Sequence, residues 1–190
     1  MSVIKALITD FDGTLVDTWE ANYNAYKTAF AAVGYTLTPD TYRECFGLRY
    51  DKFVERLGLT DQDLIKRVKE LKAMHYPDFF HLIRVNRSLL SFLRSFHAAG
   101  GKIAIASTAR RNNLTAVLSY IGATDMFDLV LSGESVVNSK PNPEIYLKVL
   151  ELLSIDADSA LCFEDSDIGV KAAETAGLKV IKINNAYYGN

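Results

Sequence analysis

Short apolar runs alternate with stretches of helical spacing along most of this chain. Ile4 to Thr9 reads as a strand, and so do Lys102 to Ala106, Phe127 to Leu131, Ala160 to Phe163 and Lys179 to Ile183. The segments between them carry apolar residues at helical intervals. Leu89, Leu90, Leu93 and Phe96 line one side of a helix over Val85 to His97, stopped by Gly100-Gly101. Leu114, Val117, Leu118 and Ile121 share a face of the next. Asn142-Pro143-Glu144 opens a third helix, with Ile145, Val149 and Leu152 expected to face inward. Ile168 to Ala176 forms a fourth, ended by Gly177.

Residues from about 18 to 80 break this alternation and carry no strand signal. Thr18 to Ala32 predicts a helix with a small-residue stripe of Ala21, Ala25, Ala29 and Ala32, flanked by Trp19, Tyr23, Tyr26 and Phe30. Asp17-Thr18 reads as its N-cap pair. Thr38-Pro39 predicts a cap followed by proline at the first helical position. Another short helix is expected over Tyr50 to Leu57. Thr60 with Asp63 resembles a capping arrangement for the helix through Leu64, Ile65, Val68 and Leu71, which Pro77 breaks or restarts.

Alternating strands and amphipathic helices argue for a parallel α/β core. The expected fold class is therefore α/β, a Rossmann-like parallel sheet interrupted by a small all-helical insertion. Polar residues gather just beyond three strand ends: Asp10 and Asp12, Ser107 and Thr108, Glu164 and Asp165. Ligands of open α/β sheets bind at the carboxyl ends of the strands. Each pair alone reads equally well as part of a solvated loop; their joint placement is what points to a site.

Composition narrows the class further. The chain has 190 residues, 49% hydrophobic and 23% charged, with a net charge of −2, so it has no basic footprint for nucleic acid or an anionic membrane. Arg110-Arg111 is an isolated basic pair, also readable as a solvated helix start. Cys45 and Cys162 make neither a disulfide framework nor a zinc site. With no signal-peptide pattern and no membrane-length apolar run, a cytoplasmic, monomeric protein is expected.

The densest chemistry lies at the start, where a strand runs into Asp10-Phe11-Asp12-Gly13-Thr14. Period-two geometry puts both acids on one side of an extended chain. Carboxylates this close repel unless a cation or a shared proton relieves them, and a hard divalent ion such as Mg²⁺ supplies that relief while binding a phosphate oxygen. A metal site beside a carboxylate nucleophile is the resulting expectation. A dinucleotide-binding reading fails, because acids rather than a GxGxxG loop follow the strand.

Asp10-Phe11-Asp12-Gly13-Thr14-Leu15-Val16-Asp17-Thr18 resembles the first motif of the haloacid dehalogenase-like superfamily. Ser107, Lys140-Pro141 and Glu164-Asp165-Ser166-Asp167-Ile168-Gly169 match its second, third and fourth motifs in order. The run Ser139 to Tyr146 is similar to the branch containing beta-phosphoglucomutase and its related phosphatases. The resemblance implies a discontinuous core of residues 1–16 and 84–190, with a cap over 17–83. It implies Asp10 as nucleophile and Asp12 as general acid and base. Ser107 and Lys140 would bind the transferring phosphoryl group. Mg²⁺ would be held by Asp10, the Asp12 carbonyl and Asp165, with Glu164 as an additional ligand or an outer carboxylate. Thr108 and Arg110 become candidates for substrate phosphate. Asn22, Arg49 and Tyr50 fall at cap positions that meet substrate in the mutase.

The implied activity is hydrolysis of a small phosphomonoester, such as a sugar phosphate, through an aspartyl phosphate. Two alternatives are a beta-phosphoglucomutase and a catalytically silent binding protein. The mutase carries a histidine where this chain has Asn22, and a neutral amide cannot act as an imidazolium. Its cap arginine aligns with Tyr50, one place from Arg49. Both departures favour the phosphatase. Retention of Asp10, Asp12 and Asp165 disfavours the silent protein.

Overall fold

The computed structural model describes residues 3–184 and 188. The chain divides into two compact units: one built from residues up to Asp17 and from Arg84 onward, the other Thr18–Ile83.

The first unit holds a five-stranded parallel sheet. Its strands are β1 (Ala6–Thr9), β4 (Lys102–Ala106), β5 (Leu129–Leu131), β6 (Ala160–Glu164) and β7 (Lys179–Lys182), in the spatial order β5-β4-β1-β6-β7. Thr9 is in register with Ile105 on one side and Phe163 on the other. Asp10, Ala106 and Glu164 therefore lie level at the carboxyl ends of three adjacent strands.

Successive residues of β1 are all buried, as expected of a strand covered on both faces. Helices α7 (Glu144–Leu153) and α8 (Asp167–Thr175) supply Ile145, Tyr146, Val149, Ala172 and Ala173 to one layer, against Ala6, Ile8, Ala104 and Cys162. Helix α5 (Arg87–Ala98) packs on β4, with Leu89 and Leu93 buried. Helix α6 (Arg111–Tyr120) buries Leu114, Val117 and Leu118.

The second unit contains α1 (Trp19–Ala31), α2 (Pro39–Arg43), α3 (Tyr50–Arg56), α4 (Gln62–His75) and a 3₁₀ segment over Tyr76–Leu82. Its core is aromatic. Tyr26 and Phe53 meet edge to face with centroids 4.8 Å apart, and Tyr23, Phe30 and Tyr42 pack around them. Thr38 caps α2 by accepting from the Thr41 amide, with Pro39 at the first helical position.

Several local expectations require correction. Val85 does not begin a helix. Arg84–Val85 forms β3, antiparallel to β2 (Val16–Asp17), and α5 starts at Arg87. Two residues per strand give no detectable period. Asp17 pairs with the Arg84 guanidinium, and Thr18 makes no side-chain cap, because its hydroxyl accepts from Asn22 Nδ2 at 2.9 Å. Asp61, rather than Thr60 with Asp63, caps α4, accepting from the amides of Asp63 and Leu64. A carboxylate there also suits the positive end of the helix dipole. Ala32 lies exposed beyond the buried stripe, and Leu152 is exposed on α7.

Candidate active site

Asp10 continues the central strand; its amide donates to the Phe163 carbonyl at 2.9 Å. The chain then turns sharply. Leu15 and Val16 amides both donate to the Phe11 carbonyl at 3.0 Å, and the buried Phe11 side chain anchors the turn between the two acids. Gly13 is required twice over. Its φ is +96°, and a Cβ there would lie 2.3 Å from Asp165 Oδ2. Asp12 follows the strand half-buried, and Thr14 Oγ1 donates to Asp165 Oδ1 at 2.8 Å.

Lys140 is the hub. Its ammonium is almost wholly buried and donates to Asp10 Oδ1 at 2.6 Å, Glu164 Oε1 at 2.5 Å and the Ala106 carbonyl at 3.1 Å. All three protons are thus used. The loop before Lys140 is fastened by Glu144, whose carboxylate accepts from the amides of Val137 and Asn138, both at 2.8 Å. Those amides hold the Glu144 carboxyl below its usual range.

Glu164 is fully buried and has four hydrogen-bond donors. Lys140 and the Tyr146 hydroxyl, at 2.9 Å, reach Oε1; the Ser166 amide and hydroxyl, each at 3.1 Å, reach Oε2. Ser166 Oγ in turn accepts from the Gly169 amide and so caps α8. A Cβ at Gly169 would come within 1.8 Å of Glu164 Oε1. Alanine normally gains about 1 kcal/mol over glycine inside a helix. With Glu164 pinned by four bonds, the overlap outweighs that gain. Gly169→Ala is expected to cost about 1–3 kcal/mol in urea unfolding.

On the other side of β1, Ser107 follows β4 and is buried. Its amide donates to the Leu131 carbonyl, and its Oγ accepts from the Ala109 amide at 3.0 Å. The Thr108 carbonyl packs so closely on Gly133 that a Cβ would lie 2.3 Å away. Arg110, at the start of α6, approaches Glu134 at 3.5 Å, and Glu134 also accepts from the Arg111 amide.

The structure brings Asp10, Lys140, Glu164 and Asp165 together. Asp12, Ser107, Thr108 and Arg110 lie in the same unit, whereas Asn22, Arg49 and Tyr50 belong to the other unit and have partners within it. Besides Asn22 on Thr18, Arg49 makes a two-pronged contact with Asp51, both distances 2.7 Å. Tyr50 donates to the Ile65 carbonyl at 2.6 Å. In the sequence, Tyr146, Ser166 and Glu144 lie within a motif or a helix start that assigns them no role of their own, and Asn86 carries no signal. Asn86 accepts from Leu89 N to cap α5, and its Nδ2 donates to the Thr14 carbonyl, tying α5 to the acidic turn.

Electrostatics mark the cluster as short of positive charge. Burial drives the Asp10 carboxyl upward; Lys140 opposes this, while Glu164 and Asp165 reinforce it, leaving the group well above the usual carboxylate range. Burial, reinforced by Glu164, raises Asp165 despite the Thr14 hydrogen bond. Burial alone would lower Lys140, but Asp10 and Glu164 outweigh it and hold the ammonium protonated. Tyr188 is also buried, and its hydroxyl finds no hydrogen-bond partner among the described residues. Burial and then Asp165, Asp17, Asp10 and Asp12 keep it protonated.

Carboxylate oxygens of Asp10, Glu164 and Asp165 lie within 4.8 Å of one another. An all-oxygen donor set with unrelieved repulsion fits a hard divalent cation. The cation would hold Asp10 and Asp165 more readily than Glu164, whose lone pairs are already occupied. Among the described residues, no helix is long and apolar enough to cross a membrane.

Comparison with known proteins shows the family and the fold. The family model for haloacid dehalogenase-like hydrolases matches residues 7–183. A phosphorylated carbohydrates phosphatase of Thermotoga maritima is 32% identical over 184 residues, covering 94% of this chain and 84% of the relative. The crystal structure of CbbY from Rhodobacter sphaeroides in complex with phosphate superposes with a TM-score of 0.87 at 27% identity, covering 97% of this chain and 88% of that one. A mutant of the same protein in complex with xylulose-(1,5)bisphosphate also gives 0.87, at 26% identity and the same coverage. The chain belongs to the haloacid dehalogenase-like hydrolase family and is a phosphoric monoester hydrolase.

Proposed function

We propose that this hydrolase is a magnesium-dependent phosphatase that cleaves a small phosphorylated carbohydrate through an aspartyl phosphate on Asp10. The observation that carries the reading is the buried contact of Lys140 Nζ with Asp10 Oδ1 at 2.6 Å, at the end of the central strand and beside Asp165.

The steps follow from the groups present. A carboxylate oxygen of Asp10 attacks phosphorus, and the bond from phosphorus to the sugar oxygen breaks in line. Asp12 gives its proton to that oxygen, so the sugar leaves as an alcohol. Asp12 then accepts a proton from the water that attacks the same phosphorus. The bond between phosphorus and Asp10 breaks, inorganic phosphate leaves, and the carboxylate is restored. Ser107 binds a phosphoryl oxygen, while Lys140, its three protons already engaged, offsets the charge of the phosphoryl group and keeps the nucleophile aimed. Asp10, Asp165 and the Asp12 carbonyl would hold Mg²⁺, which when bound offsets the charge of phosphate and carboxylates.

The carbohydrate class is supported by the activity named for the Thermotoga relative and by the sugar bisphosphate seated in the CbbY mutant. Asn22 supports hydrolysis over isomerisation, because an amide does not carry the proton that an imidazole would.

Phosphate release from a panel of sugar mono- and bisphosphates tests this directly. Release is expected with Mg²⁺ and is expected to fall on the order of 10²-fold or more in EDTA. Turnover unaffected by EDTA would remove the metal from the scheme. Conversion of beta-glucose 1-phosphate to glucose 6-phosphate without net phosphate release would replace the phosphatase by the mutase.

A further inference from the structure

The Lys140 ammonium sits between two carboxylates that compete for it: Asp10 Oδ1 at 2.6 Å and Glu164 Oε1 at 2.5 Å. Only the first is the nucleophile. If Glu164 took the larger share, Lys140 would be drawn away from Asp10 and from the phosphoryl group that Asp10 receives. Something has to limit the pull of Glu164.

Tyr146 occupies the position from which this can be done. It is fully buried in the first turn of α7, and its hydroxyl donates to the same Oε1 that Lys140 contacts, at 2.9 Å. Its ring lies 4.9 Å from Lys140 Nζ, within cation–π range. One side chain therefore acts on both members of the pair. The hydroxyl takes part of the Oε1 charge, and the ring gives the ammonium a second favourable face. Packing alone calls only for a large apolar ring, which phenylalanine would supply; the hydroxyl is the part that packing does not explain.

Resting on the phosphatase reading, we infer that Tyr146 is a positioning residue for phosphoryl transfer, acting through Glu164 to keep Lys140 directed at Asp10. It touches neither substrate nor the reacting atoms in this role.

Tyr146→Phe removes the hydroxyl and keeps the ring. Its kcat is expected to fall between about 10- and 100-fold, the range for losing a hydrogen bond to a charged group, with KM and the half-saturating Mg²⁺ concentration unchanged. The companion measurement uses metal-free protein labelled with ¹⁵N at lysine Nζ, without substrate. Wild type is expected to show a slowly exchanging Lys140 ammonium signal displaced by the Tyr146 ring current. Tyr146→Phe is expected to shift that signal and hasten its exchange; Tyr146→Leu is expected to abolish the ring-current displacement.

A kcat within twofold of wild type in Tyr146→Phe overturns the inference, whatever the signal does. An unmoved Lys140 signal overturns it too, since a fall in kcat would then arise elsewhere. Absence of the ring-current displacement in wild type overturns it without any variant, which keeps the test decisive should Tyr146→Phe fold poorly. If wild type hydrolyses no phosphomonoester, the phosphatase reading fails, while the lysine signal still decides whether Tyr146 controls Lys140.

Discussion

Asp10→Asn is expected to fold, bind phosphate esters and turn none of them over, with kcat reduced at least about 10⁴-fold, the scale of losing a covalent nucleophile. An amide oxygen is too poor a nucleophile to form the acyl phosphate, so the first step stops. Stability should move the other way. Asp10 is buried beside Glu164 and Asp165, and in the metal-free protein its carboxyl lies well above the ordinary range, chiefly through burial. A carboxyl raised in this way costs stability at neutral pH, and the amide removes that cost. Lys140 keeps Glu164 and the Ala106 carbonyl as partners. The metal-free variant should therefore unfold in urea at a concentration equal to or above that of wild type. An inactive but undiminished protein would separate the nucleophile from the scaffold. Residual phosphate release above about one part in 10³ of wild type would mean that another group attacks phosphorus.

Much of the candidate site is legible in the sequence because its groups sit at strand ends. Asp10 and Asp12, Ser107, and Glu164 with Asp165 each follow an apolar run, and only the order of the strands was needed to bring them together. Lys140 follows no strand and was legible only through its resemblance to a motif. Tyr146 was hidden for a physical reason. It stands at core spacing on α7 beside Ile145, so its aromatic ring satisfies the helical pattern completely. Its hydroxyl acquires a purpose only once β6 places Glu164 opposite it. Asn86 was hidden in the same way, because the ribbon of β2 and β3 that sets it against Thr14 is two residues long on each side. Glu144 looked like a helix opener; its carboxylate turns back onto the loop that carries Lys140. Side chains whose roles depend on tertiary neighbours leave no periodic trace.

Lys140→Met is expected to cost both activity and fold. Methionine fills a similar volume but leaves Asp10 and Glu164 buried without their shared cation. Removing one partner of a buried pair typically costs about 3–5 kcal/mol, against a total stability of about 5–15 kcal/mol for a domain, so the loss should be plain in urea unfolding. Activity should fall by about 10³-fold or more, since the transferring phosphoryl group loses a fixed positive charge. The pH dependence follows from the direction of the Asp10 shift. Lys140 opposes the upward drive on this carboxyl, and without it the folded-state value rises further. A carboxyl whose folded-state value exceeds its unfolded one, about 3.9, destabilises the protein above that folded value, and the penalty disappears as the pH falls through the interval between the two. The stability gap between wild type and Lys140→Met should therefore be widest at alkaline pH and should narrow as the pH falls toward the ordinary carboxylate range. Glu164→Gln added to Lys140→Met removes one of the stranded charges; it should recover part of the stability at alkaline pH and none of the turnover. A gap that stays constant across this range, or a double variant no more stable than Lys140→Met alone, would show that the lysine stem rather than its charge supports the fold.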